Sequence, residues 1–538
     1  MGPISNTMPI AASVKHKNEL SARYKPVFMF ASYSALCVVM VFHSLTQLFN
    51  QDEEQYIAAA YLAQHLRLYT DFLYLQTPIY PLILSRLFML FSGVSPFLVA
   101  RLLSAALAIG SVVVFSRLAA RLADERVAVM SACLFASSPL MLLAYGSTRN
   151  DIMPIFFGLC GVWFTLHGLN AERGQSSKFI FSLFFAGLCM ALAVGAKITS
   201  VFIPLSALIY VFLRAKRGLV PLVLGGAIGT IPIAFYATTG FDKFFYCNVV
   251  FHLTATPQYW IDGGRGEWFT WPNHIRAIAL HFVGEPTLVL AALFIAFVAF
   301  IACLRRPVQV VGKHLLPDRL FMVVLVALAI PFVFLPSPPS RPYLQPAVPY
   351  LLLSCAALYP MAKKMLERRQ MVIFVLGAVI VLALQVGRFM IEGAQHLNRS
   401  LWTPAEVHNL SLLIADHVTG GAVASLYPAI VLDAGSAIYP ETATAIFFFR
   451  SGNHLASARV LELNGISPKT LPLILRAKPP AAVFVGNTTD ELPLLNWALR
   501  NCYIEANLNS WQGGPYIEDF WRPRLFTRPH EPGSCQPE

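Results

Sequence analysis

The chain has 538 residues, of which 56% are hydrophobic and 13% charged, and its mean hydropathy is +0.60; this excludes a soluble globular protein and fits a polytopic membrane protein. The formal charge of +12 does not mark a nucleic-acid binder, because Lys and Arg are spread in small groups at the ends of apolar runs rather than gathered on one face. The expected partner is a lipid bilayer.

Runs of about 17 to 22 apolar residues can cross a hydrocarbon core of roughly 30 Å. They are expected near 28–48, 97–118, 127–144, 152–169, 179–195, 199–213, 219–237, 286–304, 319–335, 344–361 and 370–388. The stretch 179–213 would be about 52 Å long as one helix, so it is expected to fold back around Gly195 to Ser200. The fold class is a polytopic α-helical membrane protein with about 11 transmembrane helices. An N-terminal segment 1–27 precedes a transmembrane domain 28–388.

Lys and Arg near the span ends set the expected orientation. With Lys15, Lys17, Arg23 and Lys25 cytoplasmic, the later basic groups at Arg117 to Arg126, Arg173 and Lys178, Arg214 to Arg217, Arg305 to Lys313, and Lys363 to Arg369 all fall inside. This requires that Ile79 to Leu90, short and preceded by Pro78, is not a full crossing. Asp52, Asp71, Asp151, Lys197, the segment 238–285, Arg341 and everything after about residue 389 then lie on the outer face. The first apolar run is too long for a cleaved signal and lacks a small-residue cleavage site before the acidic loop.

The first outer loop begins Gln51-Asp52-Glu53-Glu54-Gln55-Tyr56. Ile57, Tyr61, Leu62 and Leu66 recur at helical spacing, predicting an amphipathic interfacial helix over 53–66 with Asp52 at its cap and Gln55 completing a capping box. A cap fixes a carboxylate in place without neutralising it, so Asp52 stays a candidate for chemistry. Asp151 opens a later span, with Arg149 as its salt-bridge partner or as a snorkelling anchor. Lys197 lies among apolar residues at a predicted outer turn; it is either a snorkelling lysine or an ammonium held at headgroup depth for a lipid phosphate. Arg341, in a proline-rich loop, is a second candidate cation.

The tail 389–538 changes character and reads as a small extracytoplasmic α/β domain. A helix is expected from Thr403-Pro404 through His417, short strands at Ala422 to Leu426 and Ala481 to Val485, helices from Ser467 and over Asp490 to Arg500, and a strand at Tyr503 to Leu508. No catalytic motif or phosphate loop occurs in it. Six of the nine cysteines fall in or beside spans as packing residues; Cys502 and Cys535 are a candidate disulfide on the outer side. No metal-ligand spacing is present, no cofactor is required, and a divalent ion at the carboxylates is neither demanded nor excluded by the spacing.

Asp52-Glu53 followed by Tyr56, then Tyr69-x-Asp71-Phe72 and Gln76-x-Pro78, resembles the first outer loop of the bacterial polyprenyl-phosphate-dependent glycosyltransferases of GT-C fold, relatives of the lipid A aminoarabinose transferase and the protein O-mannosyltransferases. The similarity continues through Arg101 to Ala105, Arg149-x-Asp151, Gly187 to Lys197, and Arg341-Pro342-Tyr343-Leu344-Gln345-Pro346 with Pro349. It implies inverting transfer of one sugar from a polyprenyl-phosphate carrier to a hydroxyl of a lipid, glycan or protein acceptor at the periplasmic face of a bacterial inner membrane. Asp52 would be the general base, with Glu53 and Asp151 beside it at the catalytic centre. Tyr56, Asp71, Gln76, Arg149, Lys197, Arg341 and Tyr343 would bind substrate, Lys197 and Arg341 at the phosphate. The sequence departs from the pattern at Glu54, where relatives often have a small residue, and at Gln76-Thr77-Pro78, where many have Lys-Pro-Pro. Aromatic residues between Phe241 and Arg276 form either an interfacial belt or a lid.

Two other readings are a transporter or flippase of lipid-linked sugars and a polymerase or ligase of preassembled glycans. The first predicts charges at span centres and internal repeats, whereas the acidic residues here gather at one surface and no repeat is visible. The second differs only in substrate.

Overall fold

A computed structural model of the protein describes residues 30–171, 176–304, 316–394, 402–418, 420–486, 488–508 and 522–528. Its apolar runs fold into helices whose ends are set by prolines and polar caps. The first nine are α1 (Phe30–Thr46), α2 (Gln51–Leu62), α3 (Ile79–Leu90), α4 (Pro96–Leu122), α5 (Glu125–Ser137), α6 (Pro139–Gly146), α7 (Ile152–Ala171), α8 (Ser176–Ala196) and α9 (Phe202–Arg214). The start of α4 shows the logic: Ser95 accepts from the Leu98 N–H at 3.2 Å while Pro96 takes the first helical position, where a missing N–H costs nothing.

Among the described residues, five helices are long and apolar enough to cross a membrane: α4, α7, α8, Pro286–Leu304 and Arg368–Phe389. Three further pairs pass only when joined across a bend, α1 with α2 at 92°, α5 with α6 at 62°, and Lys216–Gly229 with Ile231–Thr239 at 48°, giving up to eight spans among the described residues. The runs 127–144 and 219–237 are thus broken helices. Pro139 and Pro232 begin the second arms, and a proline cannot donate to the preceding turn. Helices Leu316–Phe334 and Ala347–Met365 occupy two more of the expected runs. α3 has 12 residues, too few for a crossing.

α8 ends where the fold-back was expected. Lys197 is extended, with φ −154° and ψ 118°, and a single tight turn, Ile198–Val201, leads into α9. α8 packs closely on the helix Leu219–Gly229 because Gly187 and Gly225 bring bare backbone against the Leu222 and Phe184 carbonyls, where a Cβ would collide.

The prediction for α2 needs correction. It does not lie along an interface with one free face: residues from Glu53 to Ala60 are all buried. α3 covers one side and the short helix Pro428–Asp433 the other.

After residue 402 the chain builds a five-stranded sheet in the order β2-β1-β3-β5-β4. The strands are β1 (Ala422–Ser425), β2 (Ala437–Ile438), β3 (Ala482–Val485), β4 (Ile504–Ala506) and β5 (Arg524–Thr527). β1 is parallel to β2 and β3, and β5 is antiparallel to β3 and β4. β5 had no counterpart in the sequence reading. Alternation along β3 sends Ala482 and Phe484 into the same apolar cluster as Tyr56 and Ile57 of α2, and Val483 and Val485 into a separate one with Leu494 and Trp497. Cys502 is disulfide-bonded; its expected partner Cys535 lies outside the described residues.

Candidate active site

The site starts at the corner between α1 and α2. Asn50, not Asp52, is the N-cap: with φ −122° and ψ 130° it accepts from the Asp52 N–H at 2.9 Å, and Glu53 returns the bond by accepting from the Asn50 N–H at 3.0 Å. The capping box therefore lies two residues upstream of its predicted place, and the Asp52 carboxylate has no capping duty. Asp52, Glu53 and Glu54 all occupy the first turn, where negative charge complements the helix dipole.

These three carboxylates have different partners. Asp52 forms a close ion pair with Arg149, and its side chain remains 23% exposed. The Nε of the same guanidinium donates to Asp151 at 2.8 Å. Asp151, only 2% exposed, receives the Lys197 ammonium on its other oxygen. The result is one row of alternating charge, Asp52–Arg149–Asp151–Lys197, neutral overall. Alternation is what lets four ionised groups gather in a poorly solvated place. The Lys197 Nζ lies 5.6 Å from the centre of the Tyr343 ring, a cation–π distance. Beyond it a small cleft opens between Thr199, Phe202, Phe332, Val333 and Pro346. It is apolar apart from Lys197, Thr199 and the Tyr343 hydroxyl.

Asn150, between Arg149 and Asp151, fastens the row to α2 and the loop that follows it. Its side-chain amide donates to the Ala196 carbonyl at 3.0 Å and reaches Gln76 Oε1 at 3.5 Å, while its oxygen accepts from the Tyr56 hydroxyl at 3.0 Å. Tyr56 and Gln76 thus join the site. Asn150 was absent from the sequence candidates, although it stands inside the Arg149-x-Asp151 motif.

Glu53 is placed for structure. It is fully buried and makes a two-pronged pair with Arg101 of α4, at 2.6 Å to Nε and 2.6 Å to Nη2. Its oxygens also accept from the Thr148 N–H at 2.6 Å and the Asn50 N–H at 3.0 Å. Arg101 spends its remaining donors on the Ser44, Gln47 and Gly146 carbonyls. Every oxygen of Glu53 is used twice, leaving no room for a substrate hydroxyl.

Asp71 and Arg341 stand apart from the row. Asp71 closes its own turn by accepting from the Arg67 N–H at 2.8 Å. That backbone bond, opposed by burial and aided by the Arg67 side chain, holds its carboxyl below the usual range. Arg341 is paired with the buried Glu285, its own side chain 42% exposed. Among the described residues no group of three His, Cys, Asp or Glu side chains is arranged to hold a metal ion.

The segment 241–270 covers the loop between α2 and α3. Its His252 imidazole meets the Leu75 carbonyl at 2.8 Å, Lys243 donates to the Thr70 carbonyl at 3.2 Å, and Phe244 packs edge-on against Tyr69 at 5.1 Å. From the other side, Arg450 stacks over Tyr259 at 4.6 Å and Trp260 at 5.4 Å.

The fold overlays that of ArnT from Cupriavidus metallidurans bound to undecaprenyl phosphate, with a TM-score of 0.56 over 94% of this chain and 98% of that one, at 14% identity. The apo state of the same protein gives 0.55 over 93% and 98%, at 13% identity. The chain has a GT-C fold. The archaeal oligosaccharyltransferase AglB from Archaeoglobus fulgidus, in complex with an inhibitory peptide and a dolichol-phosphate, also overlays, with a TM-score of 0.50 over 90% of this chain and 74% of that one, at 12% identity. Residues 75–236 match the family described as dolichyl-phosphate-mannose-protein mannosyltransferase. In this GT-C chain the matched segment contains Gln76, Arg149, Asp151 and Lys197, and Asp52 lies upstream of it. No curated protein matches the chain.

Proposed function

We propose that the protein is an inverting glycosyltransferase that moves a single sugar from a polyprenyl-phosphate carrier to a hydroxyl of an envelope acceptor. In this reading residues 28–388 form the catalytic domain, 389–538 a periplasmic domain, and the active site faces the periplasm of a bacterial inner membrane. The observation that carries the reading is the charge row, which has a partly exposed carboxylate at one end and an ammonium at the mouth of an apolar cleft at the other.

The chemistry follows from that polarity. An acceptor hydroxyl needs a base placed against its proton, and Asp52 is the most accessible carboxylate of the row. A phosphate leaving group is already stabilised as an anion, so it needs cations and no strong acid. Lys197 supplies a compact charge there, and the cleft beside it accepts the first isoprenoid units of a carrier. Base and cation on opposite sides of the sugar suit a direct displacement with inversion. Arg149 and Asp151 hold the two ends at a fixed separation, while Tyr56 and Gln76, both bonded to Asn150, and Tyr343, beside Lys197, flank the row.

The test is mass analysis of lipid-linked sugars and envelope glycans in cells carrying the wild-type gene, a deletion, or Asp52→Asn. Loss of one sugar from an acceptor, with its polyprenyl-phosphate donor accumulating in both mutants, supports the transferase and identifies both substrates. A normal glycan profile in the Asp52→Asn strain beside a defective deletion strain removes Asp52 as the base.

A further inference from the structure

The seam between the C-terminal unit and the helical domain falls on the two elements that set the position of Asp52. Glu54 of α2 accepts from the Ala429 N–H at 2.5 Å. Asp433 accepts from the Ser95 hydroxyl at 2.6 Å and the Phe97 N–H at 3.0 Å, at the start of α4, and its other oxygen meets His408 at 2.7 Å. The Thr403 hydroxyl donates to the Gln47 carbonyl at 2.7 Å, just before α2. Phe49, in the same corner, packs against Phe97 at 6.0 Å and Tyr427 at 6.5 Å.

Successive residues of a helix point about 100° apart. Asp52 is drawn toward Arg149, Glu53 toward Arg101 and Glu54 toward Ala429, so α2 is held from three directions at three consecutive residues. Removing one relaxes one of these restraints and lets the first turn of the helix shift, carrying the Asp52 carboxylate with it. Glu54 touches neither Arg149 nor Lys197, and only 1% of it is exposed. A carboxylate so buried is costly unless a donor meets it, and the donor here belongs to the C-terminal unit.

We propose that Glu54 is a positioning residue for the reaction, through which the C-terminal unit fixes the rotation of α2 and the aim of the Asp52 carboxylate. The proposal rests on Asp52 being the base. It assigns the C-terminal unit a part in catalysis that does not require it to touch either substrate.

The experiment measures steady-state transfer by the full chain in membranes, with a polyprenyl-phosphate sugar as donor, for wild type, Asp52→Asn, Glu54→Ala, Glu54→Asp and Glu54→Gln. Hydrogen exchange over 50–62 is followed in parallel. Glu54→Ala should lower kcat by 10- to 100-fold, the scale of an ångström-sized misplacement, while donor KM stays within about twofold. Amide exchange at the start of α2 should rise. Glu54→Gln, which still offers an oxygen to the Ala429 N–H, should recover most of the rate. Glu54→Asp keeps the carboxyl group but is one methylene too short, and should behave like alanine. A kcat near wild type in Glu54→Ala, or a loss confined to donor KM, overturns the proposal. Should the alanine variant not accumulate folded, Glu54→Asp and Glu54→Gln decide by the same comparison. If Asp52→Asn is itself fully active, it is the assignment of the base that fails, and that outcome is read from a separate variant.

Discussion

Arg149 is shared between Asp52 and Asp151: its guanidinium pairs closely with the first and donates from Nε to the second at 2.8 Å. Asp52 is therefore held in place by a group that has a second anchor of its own. Neutralising Asp52 removes the base and leaves Arg149 and Lys197 sharing Asp151, with the uncompensated charge at the partly exposed end of the row. Asp52→Asn should lower transfer by the 10²- to 10⁴-fold range typical of a lost general base, with a thermal midpoint close to wild type. An inactive variant that also unfolds early would make Asp52 a structural residue.

At the other end of the row, Lys197 is shared between Asp151 and whatever anion enters the cleft. Lys197→Ala should raise the donor KM and also lower kcat at saturating donor, because the ammonium meets the diester phosphate before transfer and the more highly charged monoester that leaves. A titration of donor against rate separates the two effects. The variant also leaves Asp151, 2% exposed, with Arg149 as its remaining cation, so a lower thermal midpoint should accompany the kinetic change.

Glu53 and Arg101 give the opposite pattern. Both side chains are shut off from solvent, and removing one strands a buried charge, a loss of roughly 3 to 5 kcal/mol for a pair of this kind. Glu53→Ala and Arg101→Ala should each reduce folded protein in the membrane and lower the midpoint sharply. Replacing both together by Glu53→Gln and Arg101→Met should recover part of that loss. A loss in the double variant equal to the sum of the losses in Glu53→Gln and Arg101→Met alone would mean the pair is not coupled.

These contrasts mark where sequence reasoning reached and where it stopped. The apolar runs were legible because a bilayer demands a minimum length, and the break before α9 because 179–213 is too long for one crossing. Arg149, Asp151 and Lys197 stood out because ionised groups at membrane depth need partners, and the fold makes them partners of one another. Glu53 could not be told from Asp52: adjacent acids differ only in the direction they point, and Arg101 reaches Glu53 from another helix 48 residues away. The cap was read at Asp52 rather than Asn50 because both are good cap residues and only the backbone of Asn50 is extended. Burial of α2 on both sides was invisible for a similar reason, since its cover comes from residues 428–433 at the far end of the chain.

The cover over the loop between α2 and α3 should respond to acid. Burial pushes the His252 imidazole below its ordinary value of 6.5; the Leu75 carbonyl raises it and the nearby Lys197 lowers it further. The folded cover thus binds fewer protons than the opened one. Its closure is fully favoured above the ordinary histidine value and weakens as pH falls toward the depressed folded value. Between about pH 7.5 and pH 5, segment 246–265 should become more open to proteolysis, and Trp260 and Trp268 more open to a fluorescence quencher, before the helical domain loses structure. His252→Gln keeps a donor for Leu75 without a titrating group, so its cover should respond equally at both pH values. A wild-type response that persists unchanged in His252→Gln would assign the acid sensitivity to a different group.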